Sequence, residues 1–227
     1  MAINFTMNVP PLESGDRLTR DEFERRYHAA SNIKKAELIE GVVYVAAAVR
    51  ANLHGKPHGI VITWLGFYCS ATPGVELYDS ATVLLDEDNE PQPDALLRIE
   101  PEVGGNSSVN EDDYIVGGPE LIVEVAASSA SYDLNDKFNA YQRNGVREYI
   151  VWQIYENRLD WFILQDDKYV SFLPDDAGII RSQVFPGLWL SVNALLQRDR
   201  AEILAALQAG LQTAEHQTFV NQLQNQE

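Results

Sequence analysis

The sequence predicts an α/β (α+β) protein, with one domain over residues 1–195 and a helical tail over residues 196–227. Two patterns and one periodicity predict it. Short apolar, β-branched runs such as "LIVEVA" and "REYIVW" have strand length and are bounded by Gly, Pro, Asn or Asp. Between them lie stretches with helix start and stop signals. From about Val192 onward, Leu196, Ile203, Leu207 and Leu211 recur on one helical face before the chain turns polar and glutamine-rich. A chain of 227 residues that is 45% apolar and 10% aromatic can fill one sizeable core, and no composition break demands a second.

The elements follow in order. After a loose start, Thr19 and Glu22 have capping-box spacing and open a short polar helix, "RDEFERRYHAA". "KKAELIEGVVYVAAAV" reads as a strand pair with a turn or bulge at Gly41. "GIVITWLGFYCSA", residues 59 to 71, is apolar on nearly every side and reads as a buried helix preceded by Pro57. His54 and His58 have the spacing of a helical metal pair, but Pro57 between them reads as a helix break, which sets zinc aside and leaves His58 to cap the buried helix. "VELYDSATVLLDEDNEPQPDALLRIEP" reads as strand, solvated acidic turn, strand. Residues 102–119 are rich in Gly, Ser, Asn and acid and read as a loop. A strand carrying Glu124 follows, then a helix with Asp133 as N-cap and Asn144-Gly145 as C-cap. "REYIVWQIY", "NRLDWFIL" and "KYVSFL" read as a small antiparallel ribbon, and "FPGLWLSV" closes the core.

With 17 basic against 34 acidic residues the net charge is −17, which weighs against gripping duplex nucleic acid by charge alone. The single cysteine, Cys69, excludes an intramolecular disulfide and suits a reducing compartment. No run of about 18 apolar residues and no secretory leader pattern occurs, so a cytoplasmic protein without a membrane partner is expected.

Glu124 carries the chemistry. It interrupts an apolar run of strand length, and a carboxylate in a core must neutralise, pair or bind a metal. Asp94 begins the preceding strand after Pro93, Lys137 lies in the following helix, and Glu37 stands at an upstream strand entry with Glu40 three residues on. Two carboxylates on neighbouring strands suit a hard divalent cation such as Mg²⁺. Asp133, Lys137 and Tyr141 recur at i, i+4 and i+8, which places Asp133 and Tyr141 as supports for the lysine. A structural ion pair at Glu124, a polar strand start at Asp94 and a solvated helical Lys137 are the plain alternatives. Tyr141, Tyr149 and Trp152 read as core or rim.

The ordered series "AELIEG", "PQPDALL", "PELIVEVAASSA" and "DLNDKFNAYQRNGVREYIVW" resembles the Uma-type restriction endonucleases of the PD-(D/E)XK nuclease superfamily, over about residues 16 to 195. The resemblance implies a restriction-endonuclease-like core, a mixed central sheet flanked by helices with its acidic pair on adjacent strands. It implies a Mg²⁺- or Mn²⁺-dependent endonuclease acting on DNA. Asp94 and Glu124 would be the metal ligands, Glu37 the acid near the N-terminus and Lys137 the catalytic lysine. The superfamily's usual lysine stands two residues after the second acid, where this chain has Ala126; Lys137 matches the displaced position on the helix. The Ser-Pro step that often follows the strand is here "ASSAS", without proline. The rival expectations are a catalytically idle binding or assembly module, and a phosphodiesterase for a small or single-stranded substrate. DNA is expected to bind weakly, and the apolar tail stripe suits a homo-oligomer such as a dimer.

Overall fold

A computed structural model describes residues 9–225, so part of the loose start and the last two residues lie outside it. The chain order is α1 (Arg20–Ala29), β1 (Ala36–Ile39), β2 (Val42–Val45), a π-helical turn (Ala51–Gly55), α2 (Lys56–Ser70), β3 (Val75–Asp79), β4 (Val83–Leu84) and β5 (Ala95–Ile99). A 3₁₀ turn (Pro101–Val103), β6 (Ser108–Val109), β7 (Ile115–Val116) and β8 (Leu121–Ala126) follow. Next come α3 (Ala130–Tyr132), a second π-helical turn (Asp133–Lys137), α4 (Phe138–Arg143), β9 (Glu148–Gln153), β10 (Arg158–Gln165) and β11 (Lys168–Ser171). The chain ends with β12 (Ile179–Arg181), β13 (Trp189–Ser191), α5 (Val192–Gln197), α6 (Arg200–Leu211) and α7 (Ala214–Gln224).

A mixed six-stranded sheet, in the order β11-β10-β9-β8-β5-β3, forms the middle layer. Only β8 and β9 run parallel, because the helical segment between them is a crossover; the other neighbours are antiparallel. Strand alternation then sorts the core. Leu121, Val123 and Val125 pack on one face with Trp64 of α2 and Leu207 of α6, whereas Ile122 and Ala126 pack on the other with Tyr141 of α4. The sheet is thus flanked by helices on both faces, as the sequence reading expects. The three strands read as a separate ribbon are half of this sheet. Tyr141, Tyr149 and Trp152 are core residues.

Several local expectations are corrected. The helix at Arg20 begins where expected, but the capping box does not form: Thr19 makes no side-chain cap, and the Glu22 carboxylate pairs with Arg25 and Arg26. Residues 102–119 contain β6 and β7, which join β4 in a small three-stranded sheet. The strand expected to run to Leu85 is therefore divided between two sheets. The acidic turn is not wholly solvated, since Asn89 and Glu90 are buried. Asn89 is fixed there because its Oδ1 accepts from the Glu40 N–H and its Nδ2 donates to Asp86. Gly41 does form the turn, with Glu40 and Gly41 both at positive φ. In the tail, Ile203, Leu207 and Leu223 belong to the same buried cluster as the α2 face of the sheet. Gly210 lets α6 approach so closely that a Cβ there would meet the Gly187 carbonyl oxygen at 2.3 Å.

Glu90 yields a stability prediction. Burial, reinforced by the Glu24 carboxylate, pushes its carboxyl up to about 8, and its Oε2 has no partner. Between the ordinary carboxylate range and pH 8 the folded chain keeps a proton that the unfolded chain releases, so stability falls as pH rises through that window. Glu90→Gln should therefore raise stability by a few kcal/mol at pH 8.5 and by almost nothing near pH 4.5. Urea denaturation at the two pH values checks this; an equal change at both would remove the buried acid as its cause.

Candidate active site

Asp94 is the last residue of the buried segment "PQPD" and stands one step beyond the Ala95–Val123 pair of β5 and β8. That step places it on the same face as Glu124, because side chains alternate along both strands. The Val125 N–H donates to Asp94 Oδ2 at 2.8 Å, tying the two strands together at the site. Glu124 is 4% exposed, yet its run remains a strand because its carboxylate meets partners from the crossover helix. Lys137 Nζ donates to Glu124 Oε1 at 2.8 Å and Tyr141 OH donates to the same oxygen at 3.0 Å. Lys137 Nζ also lies 2.8 Å from Glu37 Oε1 and 3.9 Å from Asp133 Oδ1.

Glu37 is held from three sides: its Oε1 also accepts from the Gln92 N–H, and its Oε2 accepts from Tyr132 OH at 3.2 Å. Glu40 points elsewhere, to an exposed pair with Arg143, so Glu37 is the acid that reaches the lysine. Asp133 is not the N-cap expected of it. The helical path starts at Ala130, and Asp133 lies one turn inside it, 2% exposed, with Oδ2 unpartnered. The C-terminal expectation is met, since Gly145 has φ 75 and the Val146 N–H closes on the Tyr141 carbonyl.

Charge explains the titration directions. Burial raises the Glu124 carboxyl, Lys137 opposes that, and Asp133, Asp94 and Glu37 add to it. Asp133 is likewise raised by burial. Lys137 remains an ammonium, because the attraction of Glu124 and Glu37 exceeds its own desolvation. Burial works to raise Asp94, but hydrogen bonding from His54 and the charge of Lys35 hold it below its ordinary value.

His54 is a site residue that the sequence reading passed over. Pro57 does not break the helix there. It is the second residue of α2, a position that tolerates proline, and the π-helical turn Ala51–Gly55 precedes it directly. His54 Nε2 lies 3.2 Å from Asp94 Oδ1, and the Asp94 carboxylate raises the His54 pKa. His58 does not cap α2; its Nε2 donates to the Asp94 carbonyl oxygen at 2.8 Å. The His-x-x-x-His spacing is the signal the sequence carries for His54, and Pro57 masks it by resembling a helix break. Around these groups opens a pocket of about 490 Å³, with Lys35, Arg50 and Tyr155 among its lining residues.

Two free features bear on a cation. Glu124 Oε2 carries no hydrogen bond among the described residues, and Asp133 Oδ2 is buried without a partner. Three buried acids, Glu37, Glu124 and Asp133, lie within 4 Å of one buried ammonium, and a fourth, Asp94, faces His54 and Lys35. Among the described residues no three His, Cys, Asp or Glu side chains stand close enough to hold a metal by themselves. A pair of carboxylates with waters is nevertheless a sufficient donor set for Mg²⁺, which keeps much of its hydration, so the residues fit such an ion.

Fold and site together define a restriction-endonuclease-like protein: a mixed sheet flanked by helices, with paired acids where two adjacent strands meet. The family described as "Uma2: Putative restriction endonuclease" matches residues 20–193, and the chain belongs to that family. Its fold is similar to the crystal structure of a putative nuclease belonging to DUF820 from Anabaena variabilis, with a TM-score of 0.61 at 14% identity, covering 79% of this chain and 98% of that one. No curated protein matches the chain. Family and fold indicate a restriction-endonuclease-like nuclease. No described helix is long and apolar enough to cross a membrane.

Proposed function

We propose that the chain is an endonuclease that hydrolyses DNA phosphodiester bonds at this pocket, with Asp94 and Glu124 holding Mg²⁺ or Mn²⁺. The observation that carries the proposal is the surplus of buried acid around one ammonium, open to a pocket, which a divalent cation would neutralise. Such a cation, when bound, supplies a water of lowered pKa and withdraws charge from a phosphoryl oxygen. Lys137 has two N–H groups engaged by Glu37 and Glu124, and the third remains to orient the attacking water and stabilise the charge that develops on the phosphate. Glu37, pinned by Gln92 and Tyr132, keeps Lys137 aligned and receives a proton through water. Tyr141 and Asp133 support Glu124 and Lys137 from the helix.

Lys35 and Arg50 line the pocket as the nearby cations for a DNA backbone, on a chain of net charge −17. Weak, salt-sensitive DNA binding follows. The same scarcity of positive charge favours a second reading, a small or single-stranded substrate. The idle assembly module loses part of its support, because Ile203 and Leu207 of the tail stripe are buried against their own chain. A homo-oligomer would have to use another face, and a reducing cytoplasm remains the compartment that suits free Cys69.

The test is cleavage of supercoiled plasmid, single-stranded DNA and RNA by the purified chain with Mg²⁺ or Mn²⁺, beside an EDTA control. Cleavage that EDTA abolishes is expected. Activity confined to the single strand would favour the second reading, and no cleavage of any substrate would return the weight to a binding module.

A further inference from the structure

His54 lies in the π-helical turn before α2, and its ring spans an oxygen of β8 and one of Asp94, the residue before β5. Nδ1 lies 3.2 Å from the Val125 carbonyl oxygen and Nε2 lies 3.2 Å from Asp94 Oδ1. A carbonyl oxygen can only accept, so Nδ1 is the nitrogen that carries hydrogen toward Val125. Nε2 donates to Asp94 Oδ1, and a cation that replaced that proton would sit between the two atoms while Nδ1 stayed anchored, as in a ligating histidine. The separation of Nε2 from Oδ1 fits as well: neighbouring ligands on an octahedral cation with bonds of roughly 2.1 Å stand about 3 Å apart. The ring is also braced. His58 stacks on it at 5.6 Å and holds the Asp94 backbone through the carbonyl oxygen, so ring and carboxylate are positioned together.

We propose that His54 Nε2 is a protein ligand of the active-site cation beside Asp94 Oδ1, and that this nitrogen makes the site prefer Mn²⁺ to Mg²⁺. The inference rests on the reading of Asp94 as a cation ligand. An imidazole nitrogen is a poor ligand for Mg²⁺, which favours oxygen, whereas Mn²⁺ accepts either donor. Water and the substrate take the remaining positions.

The experiment uses the full chain stripped with EDTA and titrated calorimetrically with MnCl₂ and with MgCl₂, followed by electron spin-echo spectroscopy of the bound Mn²⁺. Expected are tighter binding of Mn²⁺ than of Mg²⁺ and a ¹⁴N coupling on the bound Mn²⁺. In His54→Ala the coupling should vanish and Mn²⁺ affinity should fall about tenfold or more, while Mg²⁺ affinity changes less than threefold. Bound Mn²⁺ without ¹⁴N coupling in the native chain would overturn the role of His54 and leave the carboxylate site standing. Mn²⁺ binding unaltered by Asp94→Asn, or no binding at all, would overturn both. Because the coupling is read on the native protein, the result does not depend on the variant folding.

Discussion

Lys137→Met is expected to lower stability by about 3–5 kcal/mol and to abolish cleavage. The ammonium is 2% exposed and is the common partner of Glu37, Glu124 and Asp133. Its removal leaves those acids without their counter-charge, so each must take up a proton or draw in water. Urea denaturation at pH 7 measures the loss. The double variant Lys137→Met with Glu124→Gln should recover part of the stability but none of the activity, since the first effect comes from uncompensated charge and the second from missing catalytic groups. An unchanged denaturation midpoint in the single variant would mean that water already screens these charges.

The second large effect is expected at Asp94. Asp94→Asn should reduce metal-dependent cleavage about 10²-fold or more while the chain stays folded. The asparagine oxygen can still accept the Val125 N–H that links β5 and β8, so the strand junction survives. The charge for the cation does not survive. Cleavage assays paired with circular dichroism separate the two, and undiminished cleavage would take Asp94 out of the mechanism.

Glu124 was legible because a carboxylate interrupting a β-branched run signals a partner, whatever the fold. The central strands were legible for the related reason that buried strands carry continuous apolar runs. Lys137 was legible only through the ordered resemblance, since a single lysine on a polar helix carries no local mark. The two-residue strands β4, β6 and β7 are too short to show a period, so residues 102–119 carry the composition of a loop although they hold two of the three. His54 was obscured by chemistry that looks forbidding in sequence: proline is disruptive inside a helix but harmless in its first turn. Asp133 was misread as a cap because aspartate is a common helix starter, and nothing local distinguishes a buried acid one turn farther in.

The π-helical turn at Asp133–Lys137 has a consequence for how this enzyme family can vary. In an α-helix, a residue four positions on overshoots a full turn by about 40°, so three residues at i, i+4 and i+8 spiral away from a common line. A wider π turn falls short instead, and a π turn followed by α4 lets the two errors oppose each other. Asp133, Lys137 and Tyr141 thereby stay in phase toward Glu124. Deleting one residue within the turn would anneal it to an ordinary α-helix and swing the lysine out of phase while conserving every side chain named in the site. Insertions and deletions here are therefore expected to be more damaging than most substitutions, because the segment's length, as much as its residues, keeps these side chains in phase.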